Sequence, residues 1–251
     1  MFEELHRKMN RFWNSDRTLE QTDPQFIRLF SEFAYDEVVH EPAANDPRLD
    51  GPDRSIAIIA AIIGAQGMDA FDMMLPVAYG AGVSSVQLKE IIYQATAYVG
   101  LAHALPYLKR LNAFLEAHNV ALPLENQTQV ADEDLAERGA RERQAVFGER
   151  DGAGDGVPEH IDRWVDAYCF GAYHTRSGLS REQRAMVAVC LLMGQGGCDA
   201  QLGECLRGNL VVGNDGRYLV AVMSQCLPYV GFPRVLDALA CLRGVVTESR
   251  D

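Results

Sequence analysis

Residues 49–70 return about 130 positions later. Leu49, Arg54, Gly64 and Asp69-Ala70 fall on Leu179, Arg184, Gly194 and Asp199-Ala200. At a shift one residue longer, Gly82, Leu88, Gln94, Tyr98-Val99-Gly100, Leu105 and Leu108 fall on Gly213, Leu219, Gln225, Tyr229-Val230-Gly231, Leu236 and Leu239. Matches that keep the turn glycines in place mark a duplicated unit of about 60 residues with a lead-in helix. The change of shift requires one inserted residue, expected near 211–215. Each copy contains a nearly all-apolar segment, and such a helix must be buried on most sides. Two copies packed on each other bury both, in a pseudo-two-fold arrangement like a homodimer fused into one chain.

The periodicity along the chain is helical throughout. An amphipathic arm is expected over 1–13, and a first helix over 24–40 with Pro24 in its first turn. Further helices are expected over 54–63, 69–79, 85–98 and 102–117, with Gly100 as a break. Asp53 is expected to cap the 54–63 helix, and Asp69 and Asp199 to cap the short helices of their copies. A polar stretch, 123–134, and a charged, exposed helix, 135–147, lead to a flexible loop over 151–158. Helices over 159–173, 181–193, 200–210, 216–227 and 233–242 complete the second copy. No period-2 strand is found, so the chain reads as all-α. Its expected organisation is a first repeat over 1–122, a connection over 123–157 and a second repeat over 158–251.

Composition narrows the function. The formal net charge of −12 over 251 residues would repel phosphates, so nucleic-acid and anionic-membrane binding are not expected. The N-terminus is charged where a signal peptide needs an apolar run, and no apolar stretch is long enough to span a bilayer. A cytoplasmic protein with a small-molecule partner is expected. Its six cysteines contain no CxxC, so neither a disulfide framework nor a metal site is expected. No cofactor is indicated.

Several motifs in order resemble a known family. The run Gly171 to Leu179 (GAYHTRSGL), followed by Arg184, resembles the G-x-x-W-x-R-P-G-L lead-in of carboxymuconolactone decarboxylases. The run Cys205 to Gly213 (CLRGNLVVG) is similar to their H-L-R-G-A-L-N-N-G, and Tyr229 to Pro233 to their Y-x-G-x-P. The resemblance implies an all-helical fold, two tandem helical units packed as a pseudo-dimer, and homo-oligomers such as trimers of pseudo-dimers with pockets between units. It also implies a substrate that is a small cyclic organic acid or lactone, decarboxylated or changed in a related lyase or isomerase step. The superfamily includes alkylhydroperoxidase D-like proteins, so a thiol redox protein and a non-catalytic binding homologue stand as alternatives. Two positions depart from the pattern. The family's histidine falls on Cys205, and on Met74 or Leu75 in the first copy. The peroxidase branch's C-x-x-C-x-x-x-H frame holds Cys198, Gln201 and Cys205 instead.

Candidate site residues follow from that stretch. Cys198, Gln201 and Cys205 share one helix face at i, i+3 and i+7. A thiol at Cys205 or Cys198 would act as nucleophile or acid, with Gln201 holding a substrate oxygen. Cys198 is placed where a helix dipole would lower its pKa. His174 and Arg176 are candidates to orient a carboxylate, and Tyr229 to reach a pocket with its hydroxyl. Arg54 and Arg184, at equivalent helix starts, should each have an acidic partner nearby or across the repeat interface. One modified pocket per chain is expected, in the second copy.

Overall fold

In the computed structural model of the chain, residues 18–148 and 156–248 are described; the expected arm over 1–13 and most of the 151–158 loop lie outside them. Among the described residues the chain is all-α, with no strand. The first copy comprises α1 (Thr18–Thr22), α2 (Pro24–Glu32), α3 (Gly51–Gly64), α4 (Met68–Gly80) and α5 (Ser85–Ala117). Helix α2 runs on through a π turn, Phe33–Glu37, and Val38–His40. Helix α5 is two helices in one, because Gly100 (φ 76°) kinks it. Helix α6 (Leu135–Phe147) stands between the copies in sequence. The second copy comprises α7 (Glu159–Trp164), a π-helical run Val165–His174, α8 (Arg181–Gln195), α9 (Asp199–Val211), α10 (Gly216–Val230) and α11 (Phe232–Glu248).

The helix starts are set by short polar side chains, though not always the expected ones. Asp50, not Asp53, caps α3 by accepting from the Asp53 N–H at 2.9 Å. Ser84 and Ser180 close capping boxes with Gln87 and Gln183 on α5 and α8. Gly67 and Cys198 occupy the cap positions of α4 and α9 without a side-chain bond. Asp69 and Asp199 therefore sit inside the first turns, where a carboxylate faces the positive end of the helix dipole.

The helix boundaries also place the inserted residue. Four residues separate α4 from α5 and four separate α9 from α10, so nothing is inserted at 211–215. Helix α8 instead runs one residue longer than α3 before its turn: α3 stops at Gly64, and α8 at Gln195. From α4 onward the offset is 131, which puts Met74, not Leu75, opposite Cys205.

Helices α3 and α8 are the shared centre. Ile56, Ala57, Ile59, Ala60 and Ala61 of α3, and Met186, Val187, Val189, Cys190 and Leu191 of α8, have no exposed surface. Their C-terminal turns meet backbone to backbone. A Cβ on Gly64 would lie 2.1 Å from the Leu191 carbonyl oxygen, and one on Gly194 would lie 2.2 Å from that of Ala61. Leu191 and Ala61 are themselves repeat equivalents, so this double contact marks the pseudo-two-fold axis.

The charged helix over 135–147 is exposed on one face only. Its other face docks on the π-helical run, where Gly139 meets Asp166 and Gly171 meets Leu135 at backbone contact. Val146 is buried there, and Glu142 accepts two hydrogen bonds from Arg181, at 2.8 and 2.7 Å. Sequence periodicity misses this because a glycine-to-glycine contact has no apolar stripe. Among the described residues no helix is long and apolar enough to cross a membrane.

Candidate functional site

A cleft of about 900 Å³ opens between the copies, bounded by α5, α6, the π-helical run, α8 and α9. Helix α9 contributes Cys198, Gln201, Glu204, Cys205 and Arg207 to its wall, at the face expected from their spacing. The height of α9 is set by Asn209, whose amide donates to the Ala185 and Cys205 carbonyls at 2.9 and 2.8 Å. Asn214 holds Asn209 in turn, donating to its Oδ1 at 2.8 Å. Cys205 is buried at the back of the cleft, beside Tyr98 of α5 and Cys169 of the π-helical run. Arg143 reaches in from α6, donating to Asp162 at 3.0 Å and Asp166 at 2.9 Å, with its guanidinium over the Phe170 ring.

Tyr98 comes from the first copy and its neighbours from the second. Its hydroxyl lies 3.1 Å from His174 Nε2. His174 is 9% exposed and stands behind the wall that Tyr98 forms, next to Cys205 but not in the large cleft. The π-helical turn brings Cys169, Phe170 and His174 to this place; its wider winding recurs at functional sites and has no signature in a 3.6 period. Tyr98 was legible as a repeat-matched tyrosine. Cys169 and Arg143 carried no comparable signal.

The protonation states are those of a neutral, dry floor. Burial, and then the Arg184 guanidinium, push His174 down to about 3 from an ordinary 6.5, so its ring is neutral. Burial raises the Tyr98 hydroxyl well above its usual range, lifts the Cys169 thiol to about 11, and raises that of Cys205 further. Cys198 corrects the helix-dipole expectation. Its thiol is raised, by burial first and then by the Asp199 charge, and it donates to the Leu192 carbonyl at 3.3 Å. A dipole that a neighbouring carboxylate already answers has little left for a thiolate.

The other two candidates lie elsewhere. Arg176 is outside the cleft, with its guanidinium on Glu90 at 2.9–3.1 Å and on Thr128 at 3.0 Å. Tyr229 lines a second cavity of about 380 Å³ in the first copy, with Tyr35, Arg54, Met74 and Gln225. The chain therefore has an open pocket in each copy, not in the second alone. Arg184 has the expected acidic partner across the repeat interface, Glu90 at 3.0 Å. Arg54 has no ion-pair partner among the described residues.

His174 also makes stability depend on pH. The folded ring stays unprotonated between about 3 and 6.5, while the unfolded chain takes up the proton. Its contribution is complete above 6.5 and is lost as pH falls toward 3. One group of this kind removes about 1 kcal/mol between pH 6 and pH 5. Urea unfolding of the native chain and of His174→Gln across that interval should differ in slope by this amount. Parallel curves would refute a buried neutral ring.

Comparison with known proteins gives a consistent frame. The model of the family described as "Carboxymuconolactone decarboxylase family" matches twice in tandem, over residues 24–110 and 159–244. No curated protein matches the chain. A crystal structure of a protein from Burkholderia xenovorans LB400, provisionally described as a gamma-carboxymuconolactone decarboxylase subunit, aligns over 98% of each chain with a TM-score of 0.57 and 17% identity. At that identity the likeness is one of fold alone.

Proposed function

The chain belongs to the carboxymuconolactone decarboxylase family, and on that premise we propose that its larger cleft acts on a small cyclic organic acid or lactone as a lyase or isomerase, with Tyr98 as the proton-transfer group. The observation that carries the reading is the hydrogen bond between Tyr98, which lines the cleft beside Cys205 at the family's histidine position, and His174 buried behind it. Loss of a carboxylate next to a carbonyl leaves an enolate, which needs a donor for its charge and then a proton. A buried phenol held protonated at neutral pH is such a donor. With its Nε2 protonated, neutral His174 donates to the phenoxide that forms as Tyr98 gives up its proton. The thiols of Cys205 and Cys169 complete a floor of neutral donors, while Gln201 and Arg207 line the wall where a substrate oxygen or carboxylate would be held.

This arrangement favours acid–base chemistry over peroxide chemistry. A thiol reacts with peroxide as its thiolate, and the Cys169, Cys198 and Cys205 thiols are all held protonated by burial. The division into repeats over 1–122 and 158–251 with a connection between them is part of the same reading. So is a homo-oligomer. Leu101 and Leu105 of the first copy, and Phe232 and Leu236 of the second, are exposed apolar residues at equivalent positions. Two matched apolar patches are what a symmetric interface would cover; a monomeric mass by sedimentation would remove this part of the proposal.

The test of the chemistry is turnover of carboxylated lactones followed by NMR. Tyr98→Phe is expected to lower kcat about a hundredfold with little change in KM, while Cys198→Ser retains most of the rate. Equal rates for the native chain and Tyr98→Phe would overturn the assignment. Binding without any turnover would favour the non-catalytic homologue.

A further inference from the structure

The two copies solve the same electrostatic problem differently. Arg184 begins the central helix of the second copy, and both terminal nitrogens of its guanidinium have acceptors, a carboxylate among them, while its Nε has none. Its Nη2 donates to Glu90 at 3.0 Å and to the Arg176 and Ser177 carbonyls at 2.8 and 3.0 Å; its Nη1 faces Gln94 at 3.4 Å. Arg54 is its repeat equivalent on α3. The position that corresponds to Glu90 is Ala221, fully buried and without a polar atom. The position that corresponds to Gln94 is Gln225, but its amide is turned away, donating to the Ala44 carbonyl at 2.7 Å and that of Val38 at 3.4 Å. Arg54 shares the orphaned Nε but has no carboxylate, and is left with one long hydrogen bond, Nη2 to Asn45 Oδ1 at 3.3 Å. Asp50, whose charge acts on Arg54 without an ion-pair contact, accepts from the α3 backbone as its cap.

Arg54 also lines an open space. The 380 Å³ cavity is lined by Arg54, by the Tyr35 and Tyr229 rings, and by the apolar chains of Ile58, Met74 and Val77. That volume is at the lower end of ligand pockets, which are mostly apolar with a few convergent polar groups. A guanidinium that is desolvated and only partly paired is costly, and a carboxylate accepting from it in bidentate fashion recovers that cost.

We propose that the first-copy cavity is a binding site for a compact monocarboxylate with an apolar body, its carboxylate accepting from Arg54 and its body lying against Met74, Val77 and the two tyrosine rings. The site is separate from the larger cleft and does not depend on the chemistry assigned there. The role assigned to it is binding, through its one cation, Arg54. Because it lies against α3, which packs on α8, occupancy would bear on the helix at the centre of both copies.

The experiment is a calorimetric titration of the full chain with benzoate, with benzyl alcohol as the neutral analogue of similar shape. Benzoate is expected to bind and benzyl alcohol not to. Arg54→Gln should weaken benzoate binding by about tenfold or more, the scale of a lost charge-assisted hydrogen bond. Met74→Trp, which fills the cavity without touching the charge, should abolish it. Arg207→Gln, on the larger cleft, should leave it unchanged. The proposal is overturned if benzoate does not bind the native chain, if Met74→Trp binds it normally, or if Arg207→Gln weakens it as much as Arg54→Gln does. Met74→Trp keeps the test decisive should Arg54→Gln fail to fold.

Discussion

Glu90→Ala is expected to cost about 3–5 kcal/mol of unfolding free energy, the loss typical of breaking a buried ion pair from one side. Glu90 is 1% exposed and serves two arginines at once. Arg176 holds it with Nε and Nη2 at 2.9–3.1 Å, and Arg184 with Nη2 at 3.0 Å. Without the carboxylate, two guanidiniums face each other across a space with little water. Arg176 is near the surface and can turn toward solvent, whereas Arg184, 2% exposed, cannot. The double variant Glu90→Ala/Arg184→Met should therefore be more stable than Glu90→Ala alone, because it removes the stranded charge. The check is the urea midpoint of the three proteins. A Glu90→Ala variant within about 1 kcal/mol of the native chain would show that water reaches the network and screens it. The same result would reopen a substrate role for Arg176, which this geometry gives to structure.

Gly194→Ala is expected to lower stability by about 3 kcal/mol or more, at the top of the range for overpacking. The added methyl would fall 2.2 Å from the Ala61 carbonyl oxygen. A side chain could turn aside, but this neighbour is the backbone of another helix, so α3 and α8 must part along their whole contact. Separation opens gaps between Ile62, Ile63, Leu191 and Leu192, which are close to fully buried. Gly64→Ala should cost a similar amount, since its methyl would meet the Leu191 carbonyl oxygen at 2.1 Å. The pair tests the geometry further. One separation of the helices relieves both clashes, so the double variant should lose clearly less than the sum of the singles. Strict additivity, read from chemical denaturation, would mean that the two contacts are independent and the pseudo-two-fold contact is wrong.

The candidate site was partly legible for a definite reason. Cys198, Gln201 and Cys205 share a wall because helical spacing alone places i, i+3 and i+7 on one face. Arg176, His174 and Tyr229 were grouped with them by closeness in sequence or by motif. Closeness along a chain does not decide which side of a helix pair a residue faces. Arg176 turns to Glu90 and Tyr229 to the other copy's cavity, while His174 reaches the site only through Tyr98. The insertion was misplaced because glycines on both sides of the short helix allow either register, and only the helix ends distinguish them.

The sequence by itself determined the all-helical fold, the duplication and the burial of α3 against α8, since these rest on period, glycine positions and apolar content, which are local or repeated. Tertiary structure alone decided that Tyr98 crosses into the other copy's cleft, that Glu90 answers Arg184 while Ala221 leaves Arg54 unanswered, and that the thiols stay protonated. Each of these depends on which groups from distant segments share a low-dielectric space. Burial and pairing set a charge's energy, and neither is a property of a residue's neighbours in sequence.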